Sequence, residues 1–221
     1  MRQFRRVYDL EVDLSSDSGK WGYRAGPSDA MKKEIGQIAV NHALFEPPLM
    51  RLFWYFTEIP EAKSFILAKS LGLRGNALLR VVKDFANHKT KTTPPATPTP
   101  ILERLNSCLK DYEELSRIRN EVAHWQWYPS PDGAEYANAA CDIRRDSEGG
   151  QIIKEFTLEN LKALALNLIF TSSNLELIAD VVTGRTPEST VTERFKQFDE
   201  IEIKVREALL SLPEPSVDAL T

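Results

Sequence analysis

Along the first third of the chain, apolar residues recur every three or four positions. They are interrupted by proline or glycine at intervals of about one short helix. Ser28 or Asp29 is placed to cap a first helix, in which Ile35, Ile38, His42 and Phe45 fall on one side. Pro47 and Pro48 must break or kink it, because proline lacks an amide proton and clashes with the preceding turn. A second helix then buries Leu49, Leu52, Phe53 and Phe56. Pro60 opens a third, with Phe65, Ile66 and Leu71 as its apolar positions and Gly72 as its stop. A fourth, from about Arg74 to His88, carries Leu78, Leu79, Val82 and Phe85.

Between Thr90 and Pro100 the chain reads TKTTPPATPTP, without a large apolar residue. This composition predicts an exposed irregular loop or linker. The strongest helical pattern follows, with Ile101, Leu105, Cys108, Tyr112, Leu115, Ile118 and Val122 on a single stripe. After His124 the period changes. Trp125 to Tyr128, Ala140 to Arg144 and Gln151 to Phe156 read as strands of a small antiparallel meander, turning at Pro131-Asp132-Gly133 and Gly149-Gly150. Thr157 is placed to cap a long helix from Leu158 to about Thr183, closed by Gly184. A last amphipathic helix starts near Pro187 and carries Val191, Phe195, Phe198, Val205 and Leu209, before a tail expected to be disordered after Pro213. At the other end, alternation over Val7 to Leu14 allows a short edge strand.

The predicted fold is therefore dominated by α-helix, a bundle with a small antiparallel β insert. It divides into an arm (1–27), a helical domain (28–185, with linker 90–100 and insert 125–156), and a C-terminal helix and tail (186–221).

Composition narrows the function classes only a little. The 221 residues are 42% hydrophobic and 27% charged, as expected of a chain that buries a core. The net charge of −4 offers no global attraction for nucleic acid, so any polyanion must meet a local basic site. The two cysteines, Cys108 and Cys141, are too few for a disulfide framework or zinc site, and their reduced state fits a cytoplasmic location. Arg2, Arg5 and Arg6 precede acidic residues rather than an apolar segment, so no secretory signal is expected. The most apolar run, Leu161 to Phe170, is too short to span a bilayer. His-Glu-x-x-His, phosphate-loop, dinucleotide-binding and nucleophile-elbow motifs are all absent from the sequence.

One stretch carries candidate chemistry, Arg119-Asn120-Glu121-Val122-Ala123-His124 at the end of the strongest helix. RNA supplies its own nucleophile, the 2′-OH. Its cleavage needs a group that moves a proton and a cation that stabilises charge on the phosphoryl oxygens. Imidazole suits the first task and guanidinium the second. Asn120 can bond the phosphate or orient His124, one turn away on the same face. The stretch resembles the signature of HEPN domains, an Arg, a polar residue and then a His after a short interval. That resemblance, over roughly residues 29 to 183, implies a helical bundle and a metal-independent endoribonuclease of toxin or defence type. It implies Arg119, Asn120 and His124 as catalytic residues, 2′,3′-cyclic phosphate ends and no cofactor. On a regular helix Arg119 and His124 lie about 140° apart, so one helix cannot bring both to one phosphate. The family meets this by dimerisation, which implies a homodimer here; a neutralising protein partner also fits the toxin type.

Trp125, Trp127 and Tyr128 could stack unpaired bases or anchor the sheet, and Arg144 and Arg145 could touch phosphate or remain solvated. A structural reading of the motif has the Arg-Asn pair capping the helix and pairing with Glu113, Glu114 or Glu121, with His124 packed beside Trp125. The alternative function is then a non-catalytic helical dimerisation or adaptor module. His42, on an apolar stripe, reads as a hydrogen-bonded core histidine.

Overall fold

A computed structural model describes residues 26–92, 99–130, 134–145 and 151–210. The predicted N-terminal strand and the disordered tail lie outside these residues. The described elements are α1 (Asp29–Ala43), α2 (Glu46–Thr57), α3 (Glu61–Ser70), α4 (Asn76–Thr92), α5 (Thr99–His124), β1 (Gln126–Trp127), β2 (Tyr136–Arg145), β3 (Gln151–Thr157), α6 (Leu158–Val182) and α7 (Glu188–Leu210). The architecture is helix-dominated with a small antiparallel sheet, as the hydrophobic pattern predicts.

Local chemistry sets the helix limits. Ser28 Oγ accepts a hydrogen bond from the Met31 amide, so Ser28 and not Asp29 caps α1. Pro47 and Pro48 sit in the first turn of α2, where a missing amide proton costs nothing. Two helices close on glycine. Gly72 and Gly184 take positive φ, with Leu73 N donating to Ala68 O after α3 and Arg185 N to Asp180 O after α6.

The chain divides into two compact units. One comprises the described residues before Glu34 together with Trp125–Leu158. Its sheet runs β1-β2-β3, with Trp127 opposite Ala139 and Ala137 opposite Phe156. The central strand places the small residues Ala137 and Ala139 on its buried face. This leaves room for the rings of Trp127 and Phe156 to meet across it, 5.3 Å apart. Ser130 ties the start of α1 to the segment after β1, its Oγ accepting from Ser28 N at 3.0 Å.

The other unit, Glu34–His124 with Glu159–Thr221, holds the helical core, and α5 is its hub. Leu105, Leu109 and Tyr112 of α5 are almost fully buried, as are Leu49, Leu52 and Phe53 of α2, Leu78 and Val82 of α4, and Leu161, Leu168 and Leu175 of α6. Polar links fix the pairings. Lys83 of α4 pairs with Glu113 of α5 at 2.7 Å. Arg104 of α5 donates to Asn174 of α6, pairs with Asp199 of α7 and lies over the Phe195 ring. Cys108 Sγ donates to Thr171 O, and Asn41 Nδ2 of α1 to Ala165 O, both on α6.

Four sequence expectations need correction. The Thr90–Pro100 loop is shorter than its composition indicates: α4 continues to Thr92 and α5 begins at Thr99, with Pro100 tolerated in the first turn. In α3, Phe65 and Ile66 are 55% and 66% exposed, and the helix turns Ser64 and Ala68 inward instead. The buried stripe of α5 passes through Ser116, while Leu115 is only half-buried. The apolar run around Leu161 belongs to a 25-residue helix, α6, long and apolar enough by length and composition to cross a membrane. Here one face of α6 is core, and Arg51 of α2 pairs with its Glu176 at 2.6 Å.

Phe45→Ala should lower unfolding free energy by about 3–5 kcal/mol in urea denaturation, since it empties a fully buried site. Phe65→Ala, on the exposed side of α3, should change it by less than about 0.5 kcal/mol.

Candidate functional site

Tyr112, Ser116 and Arg119 follow one another at four and three residues along α5 and therefore share a face. Tyr112 is held by Phe45, whose ring stacks on it at 4.0 Å and 18°. Phe45 occupies the N-cap position of α2, directly after α1. The same junction presents His42 to α5, its ring 5.3 Å from that of Tyr112 and its Nε2 2.9 Å from Ser116 Oγ.

Arg119 completes this cluster. It is half-buried, and its charge acts on both His42 and Tyr112. Its Nη1 donates to Asn120 Oδ1 at 3.1 Å, while its Nε is buried without a hydrogen-bond partner. Among the described residues no carboxylate lies within ion-pair distance of this guanidinium. Glu121, which could have served, is 5% exposed and pairs with Arg117 at 3.1 Å. The predicted pairing of Arg119 with a neighbouring glutamate is therefore not what α5 does.

Electrostatics follow from this arrangement. Burial, and then the Arg119 charge, pull the His42 pKa down to about 4, so its imidazole is neutral at physiological pH. Burial raises the Tyr112 pKa, assisted by Glu46, against the opposing effects of the Ser116 hydrogen bond and Arg119.

The remaining predicted residues are dispersed. Asn120 is half-buried and turned to Arg119, and His124 is exposed at the end of α5. The structure thus joins Arg119 with Asn120 and leaves His124 apart. In the sheet unit, Lys154 Nζ lies 5.2 Å from the Trp125 ring centre, Trp127 packs on Phe156, and Tyr128 is exposed. Arg144 and Arg145 end β2, and their side chains lie outside the described residues. His42 is hydrogen-bonded against the core, as its place on an apolar stripe predicts, whereas the sequence reading missed Ser116. The available signal was the four-three spacing of Tyr112, Ser116 and Arg119. Among the described residues, no three His, Cys, Asp or Glu side chains are grouped to hold a metal ion. Searches against family models, curated proteins and solved structures returned no match.

His42 gives the site a pH signature. Its folded pKa is depressed below the unfolded value, so its contribution is complete above about pH 6.5 and is lost as pH falls towards about 4. With solvent screening at a half-buried site, wild type should lose up to about 2 kcal/mol more than His42→Gln between pH 7 and pH 4. Urea denaturation at both pH values measures the difference.

Proposed function

We propose that this chain is a HEPN-like protein that acts as a metal-independent endoribonuclease, with Arg119 as its phosphate-binding cation. The observation that carries the reading is a guanidinium with no carboxylate at ion-pair distance among the described residues. A half-buried cation with no anion of its own is costly to maintain unless an anion visits it. The planar fork of Arg matches a phosphoryl group, and Asn120 restricts its orientation.

In this reading His124 transfers protons and the RNA 2′-OH attacks the adjacent phosphorus. The P–O5′ bond breaks, leaving a 2′,3′-cyclic phosphate on one fragment and a 5′-hydroxyl on the other. Since Arg119 and His124 stand on different sides of α5, the second group comes from a second copy. Val40 and Leu44 of α1 and Leu166 and Ile169 of α6 are exposed. The Asn41–Ala165 hydrogen bond sets these two helices side by side, which supports an apolar face that another copy would cover. The same face, without the chemistry, supports the second reading of a dimerisation or adaptor module. The toxin or defence type, a neutralising partner and a cytoplasmic location belong to the same proposal.

Purified protein should cleave single-stranded RNA in EDTA, leave 2′,3′-cyclic ends and spare DNA. Arg119→Gln and His124→Ala should each lower the rate by about 100-fold or more. Mixing the two variants should restore part of the activity through dimers with one intact composite site. Loss of cleavage in EDTA, or cleavage of DNA, contradicts the mechanism. Cleavage by a monomeric preparation contradicts the shared site.

A further inference from the structure

Helix α3 is packed the opposite way round from an ordinary surface helix. Its small residues Ser64 and Ala68 face the core, while Phe65 and Ile66 face solvent. Ser64 Oγ donates to Glu61 O at 2.7 Å, so the inward hydroxyl is satisfied within the helix. No large apolar side chain among the described residues is more exposed than Ile66, and Leu71 at the helix end is exposed nearly as far. A single exposed apolar residue is ordinary, but two adjacent ones on one short helix, with a third at its end, are not. Cations border them. Lys63 and Lys69 stand three residues before and after Ile66, about 60° to either side of it around the axis. Both are exposed, as is Arg74 beyond Leu71, and none of the three has an ion pair among the described residues. On its other side Phe65 lines a hollow with the half-buried Trp54 and the exposed Arg185. Glu61 lines the same hollow and is the acidic residue of α3.

We propose that α3 is a peripheral membrane-binding helix that lies on the surface of an anionic lipid bilayer. Ile66 and Phe65 enter the boundary between headgroups and acyl chains, and Lys63 and Lys69 reach lipid headgroups from either side. Lysine suits these flanks, because its aliphatic stem lies along apolar surface while its ammonium stays in the polar layer. Charge selects an anionic lipid. Lys63, Lys69, Arg74 and Arg185 outnumber Glu61 here, whereas the whole chain carries a net charge of −4, so the attraction is local to this face. The geometry favours lipid over a folded partner. Ile66 forms the crest of a ten-residue helix, which presents far less area than the roughly 800 Å² per partner of a stable protein interface. A fluid bilayer accommodates such a ridge without a matching groove. Two apolar residues with a few cations give a weak and reversible attachment. This surface is separate from the nuclease reading, since α3 carries none of Arg119, Asn120 and His124.

Cosedimentation of the full chain with lipid vesicles tests this. The protein should bind vesicles of equal parts phosphatidylserine and phosphatidylcholine, and should bind vesicles of phosphatidylcholine alone about tenfold more weakly or less. Added salt should weaken the binding. Ile66→Asp should lower the affinity by about tenfold or more, and Lys63→Gln combined with Lys69→Gln by a similar factor. Ile66→Trp, which keeps the apolar contact, should bind at least as well as wild type. The three side chains are exposed, so these variants should keep the wild-type circular dichroism spectrum and urea midpoint. If Ile66→Asp alters the spectrum, Ile66→Ser provides the comparison. No binding to either vesicle, equal binding to both, or undiminished binding by the folded Ile66 variant overturns the proposal. Self-association of wild type that Ile66→Asp abolishes, without vesicle binding, overturns it in favour of a protein interface.

Discussion

The stack of Phe45 on Tyr112 is the contact on which the helical unit depends. Phe45 sits where α1 ends and α2 begins, so one ring fixes the direction of two helices against α5. Both rings are almost wholly buried, and burying aromatics of this size contributes several kcal/mol in total. Once Tyr112 is held there, helix geometry places Ser116 one turn further and Arg119 almost another turn beyond, on the same side. His42 arrives on α1 one turn before Phe45. The polar cluster is thus a consequence of the apolar contact. Fixing the aromatic pair leaves α5 little freedom to turn Arg119 elsewhere.

This placement has an energetic cost that the motif itself does not relieve. Glu121 is the nearest acidic residue in sequence, but it faces Arg117, one turn back. Asn120 offers Arg119 a neutral carbonyl oxygen, which orients the guanidinium without cancelling its charge. In the interior a hydrogen bond of this kind offsets only part of the desolvation of a cation. Burial keeps the His42 imidazole neutral, and the nearby Arg119 charge adds to that by disfavouring a second positive charge. The guanidinium therefore stands near a neutral imidazole, with no carboxylate at ion-pair distance among the described residues.

Helix limits were legible in the sequence wherever proline or glycine decided them, as at Pro47, Gly72 and Gly184, because those residues act through their own backbone. The sheet was legible through the change of period after His124. The side of α5 that Arg119 faces was not. Apolar periodicity favoured Leu115, whereas the buried position is Ser116, and a core serine satisfied by a histidine leaves no hydrophobic trace. The outward turn of Phe65 and Ile66 was hidden for the opposite reason, since large apolar residues score as core wherever they sit. In the Thr90–Pro100 stretch, proline content outweighed the tolerance of a first helical turn for Pro100. His124 shows how far a spacing rule reaches: it identifies a pair of residues, but which of them meet depends on the face each takes.

The central claim is that Arg119 awaits a phosphate of a single-stranded RNA. The salt dependence of binding to a 2′-O-methyl oligoribonucleotide, which lacks the free nucleophile and so stays intact, measures this directly. If Arg119 neutralises one phosphate, Arg119→Gln should bind more weakly, with a slope of log affinity against log salt smaller by about 0.7. Equal affinity and an equal slope in wild type and Arg119→Gln would contradict the account.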